Sequence, residues 1–229
     1  MTVDRAAKRF VDALLAAILL VLLLPVAIAV GAAIKLDTSG PILYRCRRTG
    51  LRGREFAMLK FRKMRDGASG LPLTAANDDR FTRIGRLLAR TKLDEVPQLW
   101  NVLKGDMSLV GPRPEDPRFV ALHRDEYRSI LVVRPGITGL SQLAFARESE
   151  ILDARDLEGH YLRRILPQKL QIDRLYVETR SLLRDVQILA WTAAAVLFRR
   201  NVAVHRTTGR LNVRRRPKVV SSAVTGPTT

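Results

Sequence analysis

The stretch ALLAAILLVLLLPVAIAVGAAI, residues 13–34, decides the fold because it contains no charged side chain. At 1.5 Å of rise per residue, a helix of this length extends roughly 33 Å, which is enough to cross a bilayer core. Pro25 lies near its middle, where a proline removes a backbone N–H donor and kinks a helix. Cations flank both ends, with Arg5, Lys8 and Arg9 before the stretch and Lys35, Arg45, Arg47 and Arg48 after it. The positive-inside rule then places both ends on the cytoplasmic side.

Three membrane arrangements of this stretch are open. A re-entrant helix that dips into one leaflet and returns is favoured by Pro25 and by the two basic flanks. A straight span is allowed by length. A cleaved signal peptide is suggested by residues 27–29, Ala-Ile-Ala, after a basic start, but the apolar run continues past this site to Ile34.

The charge balance of the chain requires an anionic partner. The 229 residues, 47% of them hydrophobic, suffice for one domain with a proper core. A net charge of +18 indicates nucleic acid, an anionic membrane surface or a phosphorylated substrate as the partner. The single cysteine, Cys46, excludes an intrachain disulfide. The histidines have no metal-ligand spacing; they are His123, His160 and His205.

A second stretch, TKLDEVPQLWNVLKGDMSLVGPRPE at residues 91–115, predicts a phosphate-handling site. Proline fits best in the first turn of a helix, so Pro97 predicts a helix start with Asp94 or Thr91 at its N-cap. Asp94 and Glu95 then lie at the positive end of a helix dipole, where free backbone N–H groups bind phosphate. Asp94 is a candidate nucleophile toward phosphorus and Glu95 a candidate ligand for a divalent metal. The alternative is that both carboxylates merely cap a helix.

A β-hairpin is predicted between these two stretches. Residues 41–45 and 56–61 have the composition of short strands, and Gly50 and Gly53 mark the turn between them. The sequence KFRK at residues 60–63 places three cations around one aromatic ring. This segment is either a phosphate-binding lip or an edge strand protected by charge.

Two stiff turns each present a cation. In GPRP, residues 111–114, prolines on both sides preorganise Arg113 for bidentate contact with phosphate. In RPGITG, residues 134–139, Arg134 precedes two glycines that would let the backbone approach a ligand. Each sequence is also compatible with an ordinary turn. The two turns indicate a phosphate site only in combination with the carboxylate pair.

The remaining segments have basic or apolar surfaces. Residues 181–198 predict an apolar helix whose Trp191 suits a membrane interface or a core. From residue 199 onward the chain has no acidic side chain, which predicts a disordered basic tail that strengthens membrane attachment. An amphipathic helix over residues 81–89 has a basic face that suits anionic headgroups or is simply solvated: Arg80, Arg83, Arg86 and Arg90.

This series of motifs resembles the bacterial sugar transferases, the monotopic polyprenyl-phosphate phosphoglycosyl transferases. The resemblance covers residues 8–198, and a series this long and ordered is highly specific. In that family the Leu-Asp-Glu-x-Pro-Gln-Leu block holds the catalytic dyad. The matching motifs are the apolar helix with its central Pro25, then KLDTSGPILYRCRRTG, LKFRKM, DDRFTRIGRLL, LDEVPQLWNVLKGDMSLVGPRPE and RPGITGLSQ.

The resemblance implies an α+β, mostly helical fold at the bacterial inner membrane. Residues 1–36 would form a Pro-kinked re-entrant membrane helix. Residues 37–198 would form a small catalytic domain on the cytoplasmic face, with the β-hairpin and amphipathic interfacial helices. Residues 199–229 would form the basic, disordered tail.

The reaction implied by the resemblance moves a phosphosugar from a UDP-sugar to polyprenyl (undecaprenyl) phosphate and releases UMP. It is the first membrane step of exopolysaccharide, capsule, O-antigen or glycoprotein glycan synthesis. Asp94 would attack the β-phosphorus and form a covalent phosphosugar intermediate, and Glu95 would bind Mg²⁺. Arg147 is a weaker candidate for donor contact. The cations expected to contact phosphate are Lys60, Arg90, Arg113 and Arg134.

Three positions depart from the pattern of the family. Leu24 stands where a Ser often precedes the proline, so the helix break rests on Pro25 alone. Ala89 stands where an Arg is common, five residues before the nucleophile, with Arg90 one step later. Residues 142–147, QLAFAR, replace the frequent Gln-Val-x-Gly-Arg, in a region that bears on the choice of sugar.

Two other classes of function stay open. A membrane-tethered nucleic-acid-binding protein would use the charge of +18, but the chain has no recognisable reading motif and only 6% aromatic residues for base stacking. No nucleic-acid partner is therefore predicted. A non-catalytic membrane scaffold would keep the fold without activity, and intact Asp94, Glu95 and Arg113 count against it. Anionic membrane lipids are expected partners, while the sugar, the glycan pathway and the oligomeric state, a homodimer included, are left open.

Overall fold

The protein is mostly helical, with three small two-stranded sheets in the part of the chain that is described. The computed structural model describes residues 5–68, 70, 73–74, 78–152, 155–198 and 200–213. The helices there are α1 (Arg5–Asp37), α2 (Arg83–Thr91), α3 (Gln98–Lys104), α4 (Pro117–Leu122), α5 (Arg124–Ile130), α6 (Leu140–Ala144), α7 (Glu148–Ile151), α8 (Leu157–His160), α9 (Leu166–Thr179) and α10 (Leu182–Leu197). The strands are β1 (Leu43–Thr49), β2 (Glu55–Phe61), β3 (Ser108–Val110), β4 (Gly136–Thr138), β5 (Val202–Val204) and β6 (Leu211–Val213).

Helix α1 is the one helix in these ranges that is long and apolar enough to cross a membrane. It continues without interruption through Pro25, so the predicted helix break is not confirmed. Side chains before and after Pro25 pack on the hydrophobic core, and this packing offsets the missing backbone hydrogen bond. The buried residues of α1 follow a helical stripe, whereas the opposite face is apolar and exposed, including Phe10, Val21, Leu22 and Ile28.

Both ends of α1 are attached to the same domain. Near its start, Arg9 donates to the backbone carbonyls of Val102 and Leu103 in α3. One turn later the buried Asp12 accepts a 2.7 Å hydrogen bond from Ser108 Oγ. At the other end, Asp37 accepts a 3.1 Å hydrogen bond from the backbone N–H of Ile84 in α2. Helix α1 therefore lies along the domain rather than projecting from it.

The predicted β-hairpin is confirmed, with a longer first strand than expected. Strands β1 and β2 pair antiparallel, with Cys46 opposite Met58. Asn101 of α3 holds β2 from the side, donating to Ala57 O at 2.8 Å and accepting from Leu59 N at 2.9 Å. Because Asn101 is fully buried, these bonds fix the distance between the hairpin and α3.

The turn at residues 134–139 has a structural role. Strands β3 and β4 are parallel neighbours, with Ser108 opposite Gly136. A Cβ atom on Gly136 would lie 2.1 Å from Gly111 N, and one on Gly139 would lie 2.2 Å from Gly111 O. The glycines thus allow two backbone segments of the protein to approach each other, whereas the sequence suggested that they admit a ligand.

The basic tail is partly ordered, which corrects the prediction of disorder from residue 199 onward. Strands β5 and β6 form an antiparallel hairpin, and Val202 is buried in the main core. The composition of the segment did not predict this hairpin, because one buried valine and a tight turn suffice to hold a short hairpin against α6. Residues 214–229 lie outside the described ranges.

A substitution of Gly85 tests how closely α2 packs against the hairpin. A Cβ atom at this position would lie 1.8 Å from the backbone oxygen of Lys63, so α2 would have to move away from the chain that follows β2. We expect Gly85→Ala to lower the free energy of unfolding by about 2 kcal/mol or more. Chemical denaturation in detergent measures this.

Gly31→Ala is the matched control, because Gly31 is also helical and its added Cβ would meet Ile42 at an ordinary 3.6 Å. It should be neutral or slightly stabilising. Equal effects of the two substitutions would contradict the close approach of α2 to Lys63.

Candidate functional site

The carboxylate pair lies in a tight turn between α2 and α3. Lys92 has a left-handed conformation, with φ of 61°, which ends α2 and redirects the chain. Leu93–Glu95 then forms a 3₁₀ turn, and Pro97 is the N-cap of α3. The predicted N-cap role of Asp94 or Thr91 is therefore wrong. Thr91 Oγ1 instead donates back to Leu87 O within α2, at 2.9 Å.

Asp94 is almost completely buried, with 1% of its surface exposed. Its Oδ2 atom lies 3.2 Å from Lys63 Nζ. Its Oδ1 atom is buried without any hydrogen-bond partner. A buried oxygen without a partner is costly and uncommon, so one that borders a cavity of about 480 Å³ indicates a reactive or ligand-binding group.

Glu95 borders the same cavity and is surrounded by cations. Its Oε1 atom lies 3.3 Å from Lys60 Nζ. Burial opposes ionisation of Glu95, but the attraction of Lys60, Arg113 and Lys92 outweighs it and lowers the pKa to about 2. The Glu95 side chain is therefore an anion at every physiological pH.

The cations of the site come from the end of the hairpin and from the GPRP turn. Lys60 lies in β2, and Lys63 lies just after the end of this strand. Burial lowers the pKa of Lys63, although the negative charge of Asp94 opposes this shift. Burial also disfavours the charge of Arg113, but the carboxylates of Glu148, Glu95 and Glu115 dominate and raise its pKa. Arg62 turns the other way and donates to Thr38 O and Oγ1, so it anchors the chain after α1.

The structure brings together some of the predicted site residues and separates others. Asp94, Glu95, Lys60 and Arg113 all line the cavity of about 480 Å³. Three predicted cations do not line it. Arg134 donates to the backbone carbonyl of Gly105 at 2.8 Å, Arg147 is paired with Glu150 on the surface, and Arg90 is exposed on α2.

Spacing alone did not identify five further residues of this region. Lys63 belongs to the predicted KFRK segment, but its contact with Asp94 depends on how α2 packs against the hairpin, which the sequence does not show. The other four residues come from distant elements: Glu115, Glu148, Tyr161 and Lys169. Tyr161 is the first residue of a π-helical turn, Tyr161–Ile165. π-Helical turns occur frequently at functional sites, but no pattern in the sequence predicted this one.

The donor set fits a magnesium ion that arrives with a phosphate ligand. The described residues include no group of three or more His, Cys, Asp or Glu side chains that could hold a metal. Mg²⁺ is commonly bound by only one or two carboxylates together with substrate phosphates and water. The ionised Glu95, which borders the cavity next to Asp94, supplies such a carboxylate.

Comparison with known proteins gives a consistent result. The family described as bacterial sugar transferase matches residues 3–199. A UDP-glucose:undecaprenyl-phosphate glucose-1-phosphate transferase of Xanthomonas campestris pv. campestris is 39% identical over 202 residues, with 83% of this chain and 39% of the relative covered. The protein of the same name from Caulobacter vibrioides is 38% identical over 195 residues, with 83% and 69% covered.

A further relative is matched over almost its whole length. The exopolysaccharide production protein PSS of Rhizobium leguminosarum bv. phaseoli is 36% identical over 206 residues, with 86% of this chain and 98% of the relative covered. The chain therefore spans well under half of the Xanthomonas protein, about two thirds of the Caulobacter protein and almost all of the Rhizobium protein.

Asp173 gives a prediction about pH and stability. This α9 residue lies behind Arg113, and burial raises its pKa from 3.8 to about 7 despite hydrogen bonds from Ser141 and the Arg113 backbone. Between about pH 4 and pH 7 the folded state holds a proton that the unfolded chain has lost, so Asp173 destabilises the fold progressively as pH rises through this window. The full effect above pH 7 is roughly 4 kcal/mol.

We expect Asp173→Asn to raise the free energy of unfolding relative to the unmodified protein by more at about pH 8 than at about pH 5. Denaturation at both values measures this difference, with Asp125→Asn on the exposed surface of α5 as the matched control. The same gain at both pH values would show that Asp173 is not protonated in the fold.

Proposed function

The chain belongs to the bacterial sugar transferase family, and from this premise we propose that it is a membrane-bound phosphoglycosyl transferase. It transfers the phosphosugar of a UDP-sugar to undecaprenyl phosphate and releases UMP. The names of the Xanthomonas and Caulobacter relatives support the donor and acceptor classes. The observation that carries the proposal is the buried Asp94 carboxylate, whose Oδ1 has no partner and which borders a cavity lined by Lys60, Lys63 and Arg113.

In the first step, an Asp94 oxygen attacks the β-phosphorus of the UDP-sugar. A bond forms between that oxygen and the phosphorus, and the bond from the phosphorus to the oxygen bridging the α-phosphate breaks. That bridging oxygen keeps the electron pair and leaves with UMP. Lys63, 3.2 Å from Oδ2, holds the carboxylate in place through its other oxygen.

In the second step, a phosphate oxygen of undecaprenyl phosphate attacks the phosphorus bound to Asp94. The bond to Asp94 breaks, the carboxylate is restored, and undecaprenyl diphosphate sugar forms. One small cavity can serve both steps because UMP leaves before the lipid phosphate reacts. This order is the ping-pong pattern expected of a covalent intermediate.

The cations Lys60, Lys63 and Arg113 neutralise the diphosphate and the charge that develops on the leaving oxygen. Lys60 also holds Glu95 at 3.3 Å, which keeps that carboxylate directed to the cavity. Glu95 is the residue that would hold Mg²⁺. When bound, this ion would lower the negative charge of the diphosphate and make phosphorus more susceptible to attack.

The surface of the protein suits attachment to one side of a bilayer. Helices α1 and α10 are neighbours, since Lys8 contacts Asp185, and both expose apolar side chains. Because the two ends of α1 contact the same domain, a straight crossing would require part of that domain to lie within the bilayer. We therefore place α1 within one leaflet, at the inner membrane with the catalytic domain on the cytoplasmic face. Exposed arginines that would meet anionic lipids include Arg83, Arg86 and Arg90.

The product would be the first membrane-bound intermediate of a glycan pathway. The name of the Rhizobium relative favours exopolysaccharide synthesis. Capsule, O-antigen and glycoprotein glycan pathways begin with the same chemistry.

The nucleophile is tested by Asp94→Asn. With undecaprenyl phosphate, Mg²⁺ and a panel of UDP-sugars, the unmodified protein should release UMP from at least one donor. The amide is a poor nucleophile, so we expect Asp94→Asn to lower the rate by at least about 1000-fold. Asp125→Asn, which is exposed on α5, should retain normal turnover. Normal turnover by Asp94→Asn would exclude the covalent step.

The membrane arrangement is tested by labelling introduced cysteines in intact cells. Ala7→Cys and Lys104→Cys are exposed positions, and Cys46 is buried and should react slowly. Both introduced cysteines should resist a reagent that cannot cross the inner membrane and react after permeabilisation. Labelling of Ala7→Cys alone in intact cells would establish a span.

A further inference from the structure

The cavity that holds Asp94 and Glu95 extends to a second group of side chains that the two chemical steps do not use. This group, named here the inner cluster, consists of residues from four separate parts of the chain. All of them line the cavity of about 480 Å³: Glu115, Phe145, Glu148, Tyr161 and Lys169.

The inner cluster is built around an ion pair between a buried lysine and a partly exposed glutamate. Lys169 is 3% exposed, and its Nζ lies 2.5 Å from Glu148 Oε2. Lys169 also donates to Tyr161 OH at 3.3 Å, and Tyr161 in turn donates to Glu115. Burial of the Lys169 ammonium costs desolvation energy, and the partly exposed Glu148 leaves the pair open to the cavity, so this arrangement favours a role in binding.

The cluster combines polar groups with aromatic faces. The Lys169 ammonium lies 4.7 Å from the centre of the Tyr161 ring and 6.0 Å from that of Phe145. Glu148 keeps 22% of its side chain exposed, and a carboxylate accepts about four hydrogen bonds. Charged acceptors and donors beside aromatic rings suit a ligand that has hydroxyl groups on its edge and C–H groups on its faces.

The position of the cluster relative to the cations indicates which part of a donor it would meet. A second cavity, of about 910 Å³, shares four cations with the first: Arg48, Lys60, Lys63 and Arg113. The shared cations are the groups that suit a diphosphate. Asp94 lines the first cavity but not the second, so the phosphorus that it attacks must lie on the side of the first.

The attacked phosphorus is the one that is bonded to the sugar. The sugar must therefore continue into the first cavity, and the nucleotide must leave toward the second. Arg113 is close enough to Glu95 and to Glu148 for both carboxylates to stabilise its charge. The inner cluster thus begins next to the reacting phosphate.

We propose that the inner cluster is the subsite for the sugar ring of the donor, in which Glu148 and Lys169 contact ring hydroxyls and Phe145 packs on its apolar face. The proposal rests on the function proposed above and identifies the residues that select the sugar. A site built to bond a hydroxyl rejects epimers strongly, because its buried polar groups would lose their partners.

Glu148→Gln tests this subsite. The measured quantity is kcat/KM for UMP release from a panel of UDP-sugars that differ at single hydroxyl or acetamido positions, together with inhibition by UDP. We expect the ratio of kcat/KM between the preferred donor and its epimers to change by at least about tenfold. Inhibition by UDP, which has no sugar, should change by less than about twofold.

Glu150→Gln is the matched control, since Glu150 lies on the same short helix but is exposed and paired with Arg147. It should leave every ratio unchanged. An equal loss for all donors in Glu148→Gln, or no loss for any, would overturn the subsite while leaving the transferase function intact. Failure of the unmodified protein to release UMP from every donor would refute the transferase function itself.

Ser149→Leu keeps the test decisive if Glu148→Gln does not fold. Ser149 lines the same cavity and is only partly buried, so a larger side chain there should occupy the sugar space without disrupting the core. We expect kcat/KM for the preferred UDP-sugar to fall at least about tenfold, with inhibition by UDP unchanged. Unchanged kcat/KM in a folded Ser149→Leu protein would overturn the proposal.

Discussion

Two adjacent carboxylates, the buried Asp94 and the partly buried Glu95, are the constraint on which the rest of the structure depends. An isolated buried carboxylate costs several kcal/mol, so the fold must deliver cations to the same place. Lys60 and Lys63 come from the end of the hairpin, and Arg113 comes from a turn that two prolines stiffen. Gly85 lets α2 approach the Lys63 backbone, and Asn101 holds the hairpin against α3. Each of these features fixes the position of a cation relative to the Asp94 and Glu95 carboxylates.

Helix α1 borders this site and, in the proposed arrangement, would place it beside the membrane. Leu19 and Leu23 of α1 line the cavity that contains Asp94, as do Ala195 and Val196 of α10. The apolar end of the cavity is thus formed by the two helices whose outer faces are exposed and apolar. In the proposed function, a soluble donor would enter from the side of the cations and a lipid acceptor from the side of these helices. This arrangement is compatible with the proposed covalent mechanism, in which the two substrates bind in turn.

Local patterns in the sequence predicted the features that depend on neighbours along the chain. The hairpin was predicted from its glycines and strand composition, and Asp94, Glu95, Lys60 and Arg113 were placed together through the motif series. Arg134, Arg90 and Arg147 were assigned to phosphate or donor contact through the motif series, and they do not line the cavity that contains Asp94; Arg134 instead bonds Gly105. Lys169, Glu148 and Asp173 were missed because their surroundings come from distant segments. The ordered hairpin β5–β6 escaped a composition-based prediction for the same reason.

The covalent intermediate on Asp94 is the central claim, and it can be observed directly. The protein is mixed with Mg²⁺ and a radiolabelled UDP-sugar in the absence of undecaprenyl phosphate, quenched in acid and analysed by intact mass spectrometry and peptide mapping. The account predicts a phosphosugar adduct on the peptide that contains residues 93–104, which disappears when undecaprenyl phosphate is added. Steady transfer to the lipid with no adduct at any time, or an adduct on another residue, would contradict it.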